Sequence, residues 1–369
     1  MIVCILGMHR AGTSLIARVV NLLGVYLGPE EHLMEPKKDN PAGFWEHQLV
    51  TALDDEILSR FGGAWDRPPD FPRGWERSVK IADLRRRARR IVLGDFRGAK
   101  LWGWKDPRTC LTLPFWQRLF PRMRYVICLR NPVDVAKSLG RREGFTLEKS
   151  ADLWLCYMKS ALEYTAGQPR LYVSYDDFVT NWREELSRLS DFIGRARQAK
   201  QPNVRKAVRR FVREDLQHHR TDLLNLMRER RIPYPTKALS TILTTYTSIK
   251  EGGTIRSRGH LELQDALSVF SQISASAQEE AQHLKSENAR LAQDLTGMST
   301  ELTNTRTELA KTSTELTKAH AELTTVKGSF GYRLMRYSAM RIDRILPDNT
   351  SRGRLKRALV TVARAIDLT

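Results

Sequence analysis

The stretch VCILGMHRAGTSL, residues 3–15, places two glycines between a short apolar run and a segment with helical periodicity. The run that leads into the loop, MIVCIL, is rich in β-branched residues, which is typical of a strand buried on both faces. The segment after it, SLIARVVNLLGVYLG, spaces its apolar residues as a helix does and has stop signals at Gly24 and Gly28. This order predicts an anion site, because loop amides and a helix N-terminus converge there.

The loop differs at one position from the loops that bind nucleoside triphosphates. The lysine that would reach a terminal phosphate is replaced by Thr13, and Arg10 lies inside the loop instead. A strand ending in an aspartate, which would hold magnesium, is also missing where it is expected, because the run RYVICL ends in Arg130. We therefore expect an anionic ligand that cations contact at two places, without a metal.

Three further apolar runs predict strands that end in polar residues. AKLWGW leads into Lys105, RYVICL into Arg130, and RLYVSY into Tyr175 and Asp176. Helical patterns follow the last two runs, which indicates a parallel α/β sheet flanked by helices. Because ligands bind beyond the carboxyl ends of parallel strands, we expect the glycine loop, Lys105 and Arg130 to face one crevice.

The chain has 369 residues, which is long for a single domain, and its composition changes along its length. Leucines recur every seven residues from Leu295 to Leu323, with acidic residues at the g positions and basic residues at several e positions. This pattern favours a parallel coiled coil that forms a homodimer, and a single solvated helix is the alternative. We expect an α/β domain over 1–232, a linker over 233–264, a coiled coil over 265–327 and a basic amphipathic helical tail over 328–369.

The net charge of +19 indicates an anionic partner. Residues 328–369 hold nine basic and three acidic residues, so this amphipathic tail is expected to contact an anionic membrane surface peripherally, unless it packs on the domain. A nucleic-acid partner is not expected, because basic and aromatic residues are not interleaved. With no signal peptide and no apolar run long enough to span a bilayer, we expect a cytoplasmic protein that touches the inner membrane surface.

The four cysteines are scattered along the chain. None belongs to a CxxC pattern or to a Cys/His spacing that would suggest a metal site. Buried, reduced thiols are the expectation, and no residue is predicted to bind a metal.

Two motifs resemble those of sulfotransferases that use PAPS (3′-phosphoadenosine 5′-phosphosulfate). GMHRAGTSL resembles the 5′-phosphosulfate loop in its arginine form, and VICLRNPVDVAKSL resembles the 3′-phosphate motif. WGWKDPR is similar to the Lys-Asp-Pro segment of tyrosylprotein sulfotransferases and of many bacterial sulfotransferase-like proteins. The resemblance covers about residues 1–195. It implies a P-loop NTPase-like fold, here followed by the coiled-coil helix, with PAPS as the sulfate donor and no metal cofactor.

The resemblance also assigns residues to the donor. The loop would hold the 5′-phosphosulfate, while Arg130 and Ser138 would hold the 3′-phosphate. Ser138 comes about two helical turns after Arg130, so both can reach one phosphate. The residues expected to bind the donor are Arg10, Ala11, Gly12, Thr13, Ser14, Arg130 and Ser138.

Sulfuryl transfer needs a base for the acceptor hydroxyl and cations for the charge that develops on oxygen. Arg10 and Lys105 are the expected cations. Glu46, in NPAGFWEH, matches a segment associated with the bacterial relatives and is the expected base. Other candidates for the base are Glu31, His47 and Asp106.

The expected reaction is transfer of a sulfuryl group from PAPS to a hydroxyl acceptor, such as a glycan or another cell-envelope molecule. Two alternatives remain open at this point. One is a P-loop kinase or NTPase-like phosphotransferase, against which the missing lysine argues. The other is a non-catalytic assembly protein that acts through the coiled coil and the tail.

Overall fold

A computed structural model describes residues 1–36, 43–212 and 222–248, and within the rest of the chain residues 286–291, 293, 315–322, 325 and 334. The chain divides into two compact units, Met1–Thr247 and Ser248–Thr369. In the second unit the described residues are helical, and the side chains of Leu291 and Leu316 are each 52% exposed. Most of the predicted coiled coil and tail therefore lies outside the described residues.

The first unit is built around a parallel sheet of four strands in the order β2-β1-β3-β4. β1 pairs in parallel with β2 and β3, and β3 pairs in parallel with β4. All three predicted runs after the glycine loop form strands, so the predicted α/β class is confirmed. The strands are β1 Ile2–Leu6, β2 Trp102–Lys105, β3 Met123–Leu129 and β4 Arg170–Ser174.

Helices flank this sheet. The predicted helix after the glycine loop ends at Leu22, and Gly24 follows with a φ of 90°. The helix after β3 begins where Asn131 caps it and Pro132 occupies its first turn, and Gly144 ends it in the left-handed conformation. The helices are α1 Thr13–Leu22, α2 Gln48–Arg60, α3 Ala82–Asp95, α4 Thr109–Leu119, α5 Pro132–Glu143, α6 Leu147–Tyr164, α7 Tyr175–Thr180, α8 Trp182–Phe192, α9 Ala196–Ala199, α10 Pro202–Phe211, α11 Leu223–Arg228 and α12 Tyr234–Ser248.

The apolar core packs the helices that carry the candidate residues against the sheet. Val20 of α1, Leu189 of α8 and Val208 of α10 are fully buried in one apolar cluster with β1. α2 and α4 are joined by Asp54, a fully buried carboxylate that accepts hydrogen bonds from three donors. Burial raises the pKa of this carboxyl well above its usual value, and three neutral donors satisfy its oxygens. The donors are Thr109 Oγ1, Thr112 Oγ1 and Trp116 Nε1.

Two predicted segments differ in the structure. The helix expected after β4 is divided at Asn181 into α7 and α8. The segment predicted as a linker, 233–264, begins with α12, whose Leu239 and Leu243 are buried, so the first compact unit runs to Thr247 and not to residue 232. The rest of that segment lies outside the described residues. Among the described residues no helix is long and apolar enough to cross a membrane.

Candidate active site

The glycine loop connects β1 to α1 and lies against the ends of β3 and β4. Gly12 has a φ of 84°, and a Cβ atom there would lie 2.3 Å from Cδ2 of Tyr175. Gly7 has a φ of 144°, and its Cβ would lie 2.9 Å from the carbonyl oxygen of Cys128. Only glycine fits both positions, because the backbone is left-handed or unusual and the neighbours leave no room. Arg10, with a φ of 68°, adopts the left-handed conformation without being glycine.

The residues predicted to bind the 5′-phosphosulfate and those predicted to bind the 3′-phosphate contact one another at this loop. Arg10 Nε donates a hydrogen bond of 2.8 Å to Ser138 Oγ on α5. Arg130 Nη1 donates one of 3.0 Å to the carbonyl oxygen of Arg10, and its guanidinium lies 4.4 Å from the ring centre of Tyr175. Among the described residues the buried Nε of Arg130 has no acceptor. An anion in this place would satisfy that donor.

Lys105 connects the other side of the loop to the expected base. Its side chain is 2% exposed, and Nζ donates 3.2 Å hydrogen bonds to Ser14 Oγ and to the carbonyl oxygen of Phe44. Nζ also donates to Oε1 of Glu46 in a short, buried ion pair. The register pairs Ile5 of β1 with Lys105, which puts the last residue of β2 beside the start of the loop.

Glu46 is the candidate base that lies next to a cation of the site. Its residue is 5% exposed, and burial raises the pKa of its carboxyl, although the Lys105 ammonium acts in the opposite direction. The backbone places it firmly: Met34 N donates a 2.8 Å hydrogen bond to the Glu46 carbonyl oxygen. Trp45 before it is left-handed, with a φ of 58°. Strain of this kind is common beside functional residues.

The other candidate bases lie in different surroundings. Glu31 is an exposed residue of the 3-10 turn Glu30–His32. Asp106 is fully buried and holds Arg108, whose Nη1 donates to Oδ1 at 3.0 Å. His47 is buried, and its Nε2 lies 3.0 Å from Oδ2 of Asp95. The structure thus joins Glu46 to Lys105 and to the loop, whereas Glu31 is exposed, Asp106 pairs with Arg108 and His47 lies beside Asp95.

His9 is a loop residue for which no role was predicted. Its ring lies 4.6 Å from that of Trp65 and 5.9 Å from that of Tyr157, measured between ring centres. Burial, followed by the charge of Arg108, lowers the pKa of His9, and among the described residues its Nε2 has no partner. The feature of the sequence that could have indicated a role for His9 was its position in the loop between Gly7 and Arg10.

A family model described as "Sulfotransferase family" matches residues 3–199. Two solved structures are similar at low identity. The sulfotransferase domain from the Synechococcus PCC 7002 olefin synthase is 17% identical, with a TM-score of 0.35, over 72% of this chain and 94% of that one. The sulfotransferase domain from the curacin biosynthetic pathway is 16% identical, with a TM-score of 0.36, over 72% and 96%.

No curated protein matches the chain. The family model nevertheless spans more than half of the 369 residues, and it covers the glycine loop, Glu46, Lys105 and the Arg130–Ser138 segment. The resemblance to sulfotransferases that the sequence motifs carry is thereby confirmed. This protein belongs to the sulfotransferase family, whose members transfer sulfuryl groups.

Proposed function

We propose that the protein transfers the sulfuryl group of PAPS to a hydroxyl acceptor by in-line displacement in which no metal takes part. The main support for the proposal is that the side chains of two arginines are held close to the glycine loop. Arg10 contacts Ser138, and Arg130 contacts the backbone of Arg10, so two arginines lie beside one loop of amides. A nucleotide with phosphate groups at both ends of its ribose matches such a site, because charge-assisted hydrogen bonds are the strongest available to it.

In this proposal the loop and α1 hold the 5′-phosphosulfate. The amides of residues 11–14 and the N-terminus of α1 provide donors, together with Thr13 and Ser14. Arg130 and Ser138 hold the 3′-phosphate, which gives the buried Nε of Arg130 its acceptor. Arg10 would then contact both phosphate sites, a role supported by the reach of its side chain from inside the loop to Ser138.

The reaction then needs one proton acceptor and two cations. The Glu46 carboxylate accepts the hydroxyl proton while the acceptor oxygen forms a bond to sulfur. The bond from sulfur to the 5′-phosphate oxygen breaks, and adenosine 3′,5′-bisphosphate leaves with the electron pair. Lys105 and Arg10 stabilise the charge on the transferring and leaving oxygens, an effect of about 3 kcal/mol for each well-placed donor.

Binding of PAPS should also change the protonation of Glu46 through the Lys105–Glu46 ion pair. The ammonium of Lys105 is engaged by the carboxylate of Glu46. The phosphosulfate competes for that ammonium, and a carboxylate that loses its cation binds a proton more readily. Binding of the donor therefore prepares the base.

A saccharide is the proposed acceptor class. Trp65 stacks on Phe145 at 5.8 Å between ring centres and contacts His9 of the loop. Arg142 also lies over Trp65, with its guanidinium carbon 5.5 Å from the ring centre. An aromatic face beside cationic groups suits a sugar ring that carries hydroxyl or acidic substituents.

The test is incubation of the purified protein with PAPS and a panel of glycan and envelope extracts, followed by mass spectrometry for an added sulfate. We expect the transfer rate to be the same with and without added Mg²⁺. Calorimetry should detect binding of adenosine 3′,5′-bisphosphate, and Arg130→Ala should weaken it at least about tenfold. Arg122→Ala, an exposed arginine just before β3, is the matched control and should bind as wild type does. Absence of nucleotide binding, or Mg²⁺-dependent use of ATP in its place, would overturn the proposal.

A further inference from the structure

Three side chains that can bind a metal ion, one of them the candidate base His47, meet beside the segment that carries Glu46. Nδ1 of His32 lies 2.7 Å from Oδ2 of Asp95, and Nε2 of His47 lies 3.0 Å from the same oxygen. One donor atom of each residue lies within 4.8 Å of those of the other two. The residues come from three separate segments: the 3-10 turn Glu30–His32, the position before α2, and the last residue of α3.

This spacing suits a small divalent ion. Tetrahedral zinc holds nitrogen and oxygen ligands at about 2.0–2.2 Å, so neighbouring ligand atoms are separated by about 3.3 Å. The rings of His32 and His47 are not stacked, because their planes differ by 69° and their centres are 5.6 Å apart. Two imidazoles with one carboxylate favour Zn²⁺ or a similar transition-metal ion over Mg²⁺ and Ca²⁺, which prefer oxygen ligands.

The buried ring of His47 has the carboxylate of Asp95 as a neighbour but lacks well-formed hydrogen bonds. Its side chain is 0% exposed, and among the described residues neither of its ring nitrogens makes a hydrogen bond of good geometry. Buried polar atoms are nearly always paired, so an unpaired nitrogen calls for an explanation. A metal ion bound to Nε2 provides one, because the lone pair is then used in coordination.

The surroundings hold the ring of His47 in place and leave the cluster open on one side. A Cβ atom at Gly28 would lie 2.4 Å from Cδ2 of His47, and the ring of Phe96 lies 5.3 Å away between centres. By contrast, the side chain of His32 is 37% exposed and that of Asp95 is 15% exposed. An ion can therefore enter from the side of His32, and water can complete its coordination.

We propose that His32, His47 and Asp95 bind one Zn²⁺ or a chemically similar divalent ion. The ion joins the 3-10 turn, the start of α2 and the end of α3. Because His47 directly follows Glu46, the bound ion also holds in place the segment that carries the candidate base. Its role is to position this segment, and it takes no part in the transfer of the sulfuryl group.

The experiment uses the full chain, dialysed against a chelator and then against metal-free buffer. Titration with ZnCl₂ in calorimetry should show one ion bound per chain, and the melting temperature should rise as zinc is added. His32→Ala changes a partly exposed side chain, and Asp95→Asn keeps the shape of its residue, so both variants should fold. Each should bind zinc at least about tenfold more weakly than wild type and lose most of the zinc-dependent rise in melting temperature.

The matched control is Glu30→Ala, an exposed change in the same 3-10 turn, which should bind zinc as wild type does. Titration with Co²⁺ adds a spectroscopic readout, because nitrogen and oxygen ligands give visible bands without the charge-transfer band of a thiolate. Equal zinc affinity in all variants, or a thiolate band, would place the ion elsewhere and overturn the proposal. No stoichiometric binding in wild type would leave Asp95 as an ordinary hydrogen-bond acceptor for His32 and would overturn it as well.

Discussion

The glycine loop contains no lysine, but Lys105, the last residue of β2, brings an ammonium group to it. The loop carries Thr13 in the usual lysine position, but the register of β1 and β2 places Lys105 opposite Ile5, just before the loop begins. Its ammonium reaches Ser14, the loop hydroxyl, at 3.2 Å. A cation from a neighbouring strand thus reaches the hydroxyl of the loop, and its ammonium is paired with Glu46.

The first prediction concerns the stability of the Lys105–Glu46 pair. Lys105→Met leaves the Glu46 carboxylate buried without its cation, so we expect the free energy of unfolding to fall by about 3–5 kcal/mol. The double variant Lys105→Met/Glu46→Gln removes both charges and should recover a large part of that loss. Urea denaturation of the single and double variants measures the difference.

The control for this cycle is Lys100→Met, an exposed lysine shortly before β2, which should change stability by no more than about 0.5 kcal/mol. If the double variant is as unstable as Lys105→Met, the two side chains are not coupled in the folded protein. Lys105 would then not stabilise the carboxylate of Glu46.

The second prediction concerns the role of Glu46 as the base. Glu46→Gln keeps an oxygen that can accept from Lys105 but cannot take a proton from the acceptor. We expect kcat to fall by about 10²–10⁴, while the affinity for adenosine 3′,5′-bisphosphate changes little. Steady-state kinetics and calorimetry on the same sample measure the two quantities. Glu35→Gln, an exposed glutamate nearby, serves as the control. A wild-type kcat in Glu46→Gln would exclude it as the base.

At the scale of the elements, the glycine loop is held by the helix that follows β4. Tyr175, the first residue of α7, packs against Gly12 and carries Arg130 over its ring. The loop, the end of β3 and the start of α7 therefore form one contact surface. A change in any of them should be transmitted to the donor site.

The third prediction tests this contact with Gly12→Ala. The added methyl group would lie 2.3 Å from a carbon of the buried Tyr175, in a backbone conformation that alanine rarely adopts. We expect a loss of about 1–3 kcal/mol in stability and a marked loss of nucleotide binding. Gly94→Ala is the matched control, because nothing lies within 4 Å of a Cβ there and the residue is helical. It should be neutral or slightly stabilising, and wild-type binding in Gly12→Ala would contradict the contact.

Local patterns were enough to predict the four strands, the glycine loop and the helices after β1 and β3, whereas the helix predicted after β4 is divided at Asn181. These patterns were not enough for α12, because its segment YPTKALSTILTTYTS is rich in threonine, whose helix propensity is low, and only packing makes it helical. The contact between Lys105 and Glu46 depends on strand register and on the left-handed Trp45, which no periodicity encodes. The cluster of His32, His47 and Asp95 was not predicted for the same reason, since its members share no spacing motif.

At the scale of the whole molecule, the fourth prediction concerns the coiled coil. Leu291 and Leu316, at d and a positions of the heptads, are each 52% exposed in the single chain, which leaves apolar surface for a partner. We expect light scattering to give a dimer for the full chain and a monomer for a chain that ends at residue 262. Leu302→Lys in the full chain should weaken the dimer, whereas Thr303→Lys, outside the a and d positions, should not. A dimer that persists without the heptads would place the interface elsewhere.

The fifth prediction concerns the basic tail. Residues 328–369 carry nine of the 61 lysines and arginines and only three acidic residues, and each basic residue near an anionic surface contributes about 1 kcal/mol to binding. We expect the full chain to sediment with vesicles that contain phosphatidylserine, and not with neutral phosphatidylcholine vesicles. Added salt should weaken this binding, because the Debye length shortens. The domain itself is basic, so the decisive comparison is with a chain that ends at residue 327: equal sedimentation of the two would assign the charge effect to the domain.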